Sequence, residues 1–147
     1  MLDCYQLRIT SWQQDQAALR FIRDTVFIKE QQVPESLEWD EDDQECIHIL
    51  VLDQQQPIAC GRIKNNGHIG RMAVLKNYRR QGIGRLILDS LLKKAHQNNC
   101  HQIYLNAQTS ACLFYQKQGF KIIGDEFLDA NIPHYKMQYQ FKDKFHE

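Results

Sequence analysis

Two glycines one residue apart, Gly82 and Gly84, stand in the basic run Arg79-Arg80-Gln81-Gly82-Ile83-Gly84-Arg85. The run lies between a stretch that reads as a strand, His68 to Leu75, and the strongest helical stripe of the chain, Ile83, Leu86, Ile87, Leu91, Leu92 and Ala95. A strand feeding a helix through such a turn points to a layered α/β arrangement, and it gives the turn a chemical capacity. Glycine lets the backbone bend sharply and approach a ligand, while the free N–H groups of the first helical turn point outward at the positive end of the helix dipole. That is a phosphate cradle, and Arg79, Arg80, Arg85 and Lys76 add charge for further phosphate groups. The same residues also fit a plain loop with solvated arginines. Neither GxxxxGK followed by Ser or Thr nor GxGxxG occurs, which argues against a P-loop NTPase and against a dinucleotide fold.

The rest of the pattern fixes the layering. Tyr5, Leu7 and Ile9 alternate with polar residues as in a half-buried strand, and from Asp15 to about Lys29 the apolar residues recur at helical spacing. After Pro34, residues 35 to 45 carry seven acids (Glu35, Glu38, Asp40, Glu41, Asp42, Asp43, Glu45) and read as an acidic loop. Cys46 to Leu52 and Pro57 to Ile63 read as a hairpin, and Asn65-Asn66-Gly67 as the tight turn into the next strand. Beyond the long helix come a short strand, Ile103 to Asn106, and a short helix, Ser110 to Gln118, with Gly119 at its C-cap. Two strands follow, Phe120 to Ile123 and about His134 to Tyr139. The order β, α, three β, α, β, α, β, β predicts an α/β chain with a mixed α+β sheet, mostly antiparallel, and helices on both faces. With 147 residues and no repeat or linker, one domain spanning 1–147 is expected.

Composition narrows the function classes. Eighteen basic and eighteen acidic residues give a net charge of zero, which argues against a nucleic-acid or membrane-surface binder. Met1 to Gln6 lacks the pattern of a signal peptide, and Ile47 to Leu52 is too short to span a bilayer, so a cytoplasmic protein is expected. Five cysteines without a CxxC pair suggest neither disulfides nor a zinc site, and no metal is expected.

Arg79-x-x-Gly82-x-Gly84 after a strand resembles the acetyl-CoA pyrophosphate loop of the GNAT N-acetyltransferases, and Tyr115-Gln116-Lys117-Gln118-Gly119-Phe120 resembles the family's Tyr-x-x-x-Gly-Phe segment. The element order matches that fold. Leu105-Asn106-Ala107-Gln108, the run Glu126 to His134, and Val26-Phe27-Ile28 with Glu30-Gln31 are similar to the ElaA/YjcF-like branch. The resemblance implies the GNAT acyl-CoA N-acyltransferase fold, acetyl-CoA as co-substrate, and direct acetyl transfer to a small-molecule primary amine. Family analogy also suggests a homodimer. The alternatives are an acyl-CoA-binding module without turnover, and a peptide or protein lysine acetyltransferase, which the acidic loop would suit.

The chemistry assigns roles. A departing thiolate benefits from a proton donor, and the resemblance puts the family's general-acid tyrosine at Tyr115. It also implies that the backbone of Met72, Ala73 and Val74 binds pantetheine and polarises the thioester carbonyl, while Arg79, Arg80, Gln81, Gly82, Ile83, Gly84 and Arg85 hold the pyrophosphate. Gln108 stands where many members carry an asparagine toward the pantetheine arm, and Asn106 is expected to share that contact. His134, after Pro133, is the first candidate for general base, as in the glyphosate-acetylating relatives; Glu30, Glu38, Asp40 and Asp43 are rivals. Ile28, Gly70 and Gln108 stand where those relatives carry substrate-holding arginines, so a phosphonate acceptor is not expected. Glu30, Glu38 and Asp40 are expected to attract a cationic amine, and Arg23 to meet a carboxylate if the acceptor has one. Cys112 lacks a nearby histidine in sequence and is not expected to act as a nucleophile.

Overall fold

The computed structural model describes residues 4–141. Seven strands, β1 (Tyr5–Thr10), β2 (Ile47–Asp53), β3 (Gln56–Ile63), β4 (His68–Val74), β5 (Tyr104–Gln108), β6 (Phe120–Asp129) and β7 (Ile132–Tyr139), form one sheet. Their order is β1-β2-β3-β4-β5-β7-β6. Every neighbouring pair is antiparallel except β4 and β5.

Helices cover both faces, and β2 shows why. Its apolar run is continuous because alternate residues serve opposite layers. Ile49 and Val51 pack with Ile83, Ile87 and Leu91 of α3 (Ile83–Gln97). Leu50 and Leu52 pack with Trp12, Leu19 and Ile22 of α1 (Trp12–Arg23). The expected mixed sheet with two helical layers is thus the observed one.

Local boundaries differ from the sequence pattern in several places. The first helix starts at Trp12 rather than Asp15, because the Ser11 side chain caps it by accepting from the Gln14 N–H. It then widens into a π-helical segment, Asp24–Glu30, instead of running on as α-helix. The acidic stretch folds as a short helix α2 (Glu35–Glu38) and a 3-10 turn, Glu41–Glu45. The strand expected to stop at Ile123 continues to Asp129, where Ala130 and Asn131, at φ 51 and 64, make the tight turn into β7. The short helix α4 is Cys112–Lys117, preceded by a 3-10 turn over Thr109–Ala111.

The centre of the sheet is open. Parallel pairing between β4 and β5 consists of two residue pairs, His68 with Tyr104 and Ile69 with Leu105, after which the strands separate. On the other edge of β4, the register against β3 shifts between Cys60 and Arg62, and Arg71 takes φ 49 at that bulge.

Candidate active site

The separation of β4 from β5 opens into a cleft of about 290 Å³. Its walls include Phe27 of the π-helical segment and Gln31 just after it, Leu37 and Glu38 of α2, Gly70 to Met72 of β4, Leu105 to Gln108 of β5, and Asp129 and Ala130 at the β6–β7 turn. Gln31, which caps the C-terminal end of the π-helical segment, receives a hydrogen bond from Gln108 Nε2 at 2.9 Å across the opening.

Tyr115 of α4 and His134 of β7 both reach the cleft. The Tyr115 ring is packed edge-on against Phe114 and Phe120, and its hydroxyl donates to Met72 Sδ at 3.6 Å. A thioether is a weak acceptor, so the proton is held loosely. Burial, with a smaller contribution from Cys112, pushes the phenol up to about 12. Burial, aided by Glu38 and Asp43 and opposed by Arg23, likewise pushes the Cys60 thiol up to about 12. His134 is stacked on Phe127, and its Nδ1 lies 2.6 Å from the Ile132 carbonyl. A carbonyl can only accept, so Nδ1 carries the proton of the neutral ring and Nε2 keeps its lone pair.

The glycine turn has the geometry of a cradle. Arg80 and Gly82 take φ 65 and 83, and no side chain caps α3. The first helical bond runs from Leu86 N–H to Gly82 O, leaving the N–H groups of Ile83, Gly84 and Arg85 ahead of any helical acceptor. A Cβ on Gly84 would meet only Phe114 Cζ, at 3.7 Å, so internal packing does not require glycine there. Arg79 is committed elsewhere: Nη1 and Nη2 grip Glu30 at 2.7 and 2.6 Å, and Nε donates to the Val74 carbonyl. Glu30, expected near the acceptor, is thereby a clasp between the π-helical segment and the end of β4. Its carboxyl is held below the usual range chiefly by the Arg79 hydrogen bond.

Three acids of the stretch, Glu38, Asp40 and Asp43, form an ion cluster with arginines, while Glu35, Glu41 and Glu45 stay exposed. Arg23 is 1% exposed and bonds Glu38 Oε2 through Nε at 2.9 Å and Asp43 Oδ1 through Nη1 at 2.6 Å. Arg62 bonds the same Asp43 oxygen at 2.7 Å and both oxygens of Asp40. Arg71 approaches Glu38 at 3.1 Å and Asp40 at 3.2 Å. The carboxylates expected to draw in a cation are therefore neutralised from within, and Arg23, expected to meet an acceptor carboxylate, meets the protein's own. Asp40 falls to about 2, where bonding to Arg62 and the nearby arginines outweigh its partial burial. Glu38, more deeply buried, is raised. Sequence reasoning passed over Arg62 and Arg71, whose acidic partners lie at least 19 residues away. It also passed over His68, which lines the cleft stacked on Tyr104. No spacing rule links such positions.

Residues 10–141 match the sequence pattern of the acetyltransferase (GNAT) domain. The chain belongs to the GNAT family. An N-acetyltransferase of Bacillus subtilis, YjcF, is 41% identical over 121 residues, covering 80% of this chain and 86% of that protein. A putative acetyltransferase of the same organism is 37% identical over 139 residues, covering 90% and 94%. Among solved GNAT structures, Escherichia coli ElaA superposes with a TM-score of 0.84 at 25% identity, covering 92% of this chain and 99% of that one. An acyl-CoA N-acyltransferase of Pseudomonas aeruginosa gives the same TM-score, identity and coverage. The chain thus has the GNAT acyl-CoA N-acyltransferase fold and is an acyltransferase of the ElaA/YjcF kind. Among the described residues no helix is long and apolar enough to cross a membrane.

Proposed function

We propose that this protein transfers the acetyl group of acetyl-CoA directly to the primary amine of a small molecule. The observation that carries the reading is Tyr115 and His134 meeting in the cleft that the unpaired stretch of β4 and β5 opens, with the uncapped glycine turn following β4 in the chain. Acetyl-CoA supplies an activated acyl thioester. Its pyrophosphate fits the N–H groups of Gly82 to Arg85, with Gln81, Arg80 and the exposed Arg85, 3.8 Å from Asp89, alongside, and Arg79 becomes available once it leaves Glu30. The backbone of Met72, Ala73 and Val74, lacking β5 partners, can line the pantetheine arm and donate to the thioester oxygen, and Asn106 flanks it on β5.

Tyr115 acts as general acid toward the departing thiolate. As the C–S bond breaks, the proton passes from the Tyr115 hydroxyl to the CoA sulfur. His134 acts as base through Nε2, whose lone pair the Ile132 contact leaves free. Of the rivals, Glu30, Glu38, Asp40 and Asp43 are each bound by arginine.

The test pairs wild type with Tyr115→Phe, following thiol release across a panel of amines and acetyl-CoA binding by calorimetry. Loss of the acid lowers kcat by about 10²- to 10⁴-fold, with acetyl-CoA affinity retained. A wild type inert on every amine, or a variant of undiminished kcat, overturns the reading.

A further inference from the structure

Arg71 differs from the other arginines of the ion cluster in having donors to spare on the cleft side. Its Nη2 is saturated by the carbonyls of Leu37 and Glu38 and by Asp40 Oδ2, at 3.4, 3.1 and 3.2 Å. Its Nε is buried without a hydrogen bond, 3.1 Å from Glu38 Oε2 but misaligned with it. Its Nη1 has no hydrogen-bond partner among the described residues. Three anchors and a bulge at φ 49 hold the guanidinium still, yet the side chain remains 27% exposed and lines the cleft. By contrast Arg62 is 3% exposed and fully engaged, and Lys64 is held by Asp42 at 2.7 Å.

His68, three residues before Arg71 on β4, is pushed down to about 4 by burial and then by Lys64, Arg62 and Arg71, so it faces the cleft as a neutral ring. Tyr104 stacks on that ring, and the charges that act on it are Lys64, Arg62 and Arg71, with Asp42 opposing them. Asp129, at the β6–β7 turn, is a carboxylate of the cleft wall that no protein cation binds among the described residues.

We infer that Arg71 selects the acceptor: the amine carries a carboxylate, which the free Nη1 donors of Arg71 hold while the amine is presented to His134. This rests on the transferase reading and names its substrate class. A pre-organised guanidinium binds a carboxylate with little ordering cost. A monoanion fits better than a phosphate dianion, because the cluster already balances three arginines against three acids and offers one partly free guanidinium.

The experiment compares each of several amino acids with its carboxamide, as acceptors for wild type, Arg71→Lys and Arg71→Gln. In parallel, calorimetry measures binding of the N-acetylated acid and the N-acetylated amide to the CoA-loaded protein. Wild type is expected to favour the acid at least tenfold in kcat/KM and in binding. The preference should collapse in Arg71→Gln and survive in part in Arg71→Lys. Equal use of acid and amide, a preference for the amide, or a phosphorylated amine surpassing every carboxylate overturns the inference while leaving the transferase intact. Selective binding of N-acetylated acids without turnover of any amine sinks the transferase reading and keeps the anion site. Because the wild-type comparison stands alone, a variant that misfolds does not rescue or condemn the idea.

Discussion

Asp43→Asn isolates the charge of the carboxylate that two buried arginines share. The substitution keeps the shape of the side chain and an Oδ1 able to accept from Arg23 Nη1 and Arg62 Nη1, which now stand 2.6 and 2.7 Å away. What it removes is the negative charge between two guanidiniums whose side chains are 1% and 4% exposed. Each arginine retains a second acid, Glu38 for Arg23 and Asp40 for Arg62, so neither is stranded. Removing one partner of a buried ion pair costs about 3–5 kcal/mol when the other is left uncompensated. The retained partners put this case at the lower end, about 3 kcal/mol, equivalent to a Tm lower by about 6–12 °C for a domain of this size. Calorimetric melting at pH 7 and denaturant unfolding give the number from two directions. A loss below about 1 kcal/mol would refute the view that this cluster is held by its charges rather than by its shape.

Acidification should weaken the same region. The Asp40 carboxyl is depressed in the folded state, so its stabilisation is complete above pH 4, fades as pH falls toward 2, and is absent in the acid stability profile of Asp40→Asn. Glu30→Gln should release Arg79 from its exposed clasp and tighten acetyl-CoA binding by about two- to fivefold, the scale of a surface ion pair; weaker binding by calorimetry would show that the clasp supports the loop instead. Gly61→Ala puts a Cβ 2.7 Å from Ile87 Cγ2 and 3.1 Å from Met72 Cγ, between β3 and α3. Overpacking of this kind costs about 1–3 kcal/mol, read as a lower denaturant midpoint.

The layers of this protein were readable from local pattern because each is written locally. The alternation in β1, the stripe of α3 and the glycine turn between β4 and α3 are set by residues within a few positions of one another. The acidic stretch was not readable in the same way. Its chemistry depends on Arg23, Arg62 and Arg71, which reach it from α1, β3 and β4, and a run of acids looks the same whether water or guanidinium surrounds it. Arg79 illustrates the same limit from the other side: its motif is local, but Glu30 lies 49 residues away and claims it. The π-helical widening and the length of β6 likewise answer to tertiary fit, to the cleft in one case and to the β7 ladder in the other. Tyr115 and His134 could be singled out by chemical type, whereas their convergence on one cleft belongs to the fold.

The two rungs that join β4 to β5 have a thermodynamic corollary. A sheet divided in its middle leaves peptide groups without the partners a closed ladder would provide, and whatever threads the gap takes over that bonding. Folding and ligand capture then draw on a single free energy, and the protein should gain about 2.7 kcal/mol of resistance to unfolding at a ligand concentration one hundred times its dissociation constant. In a cell, the abundance of such a chain would track the supply of the molecule that bridges its halves.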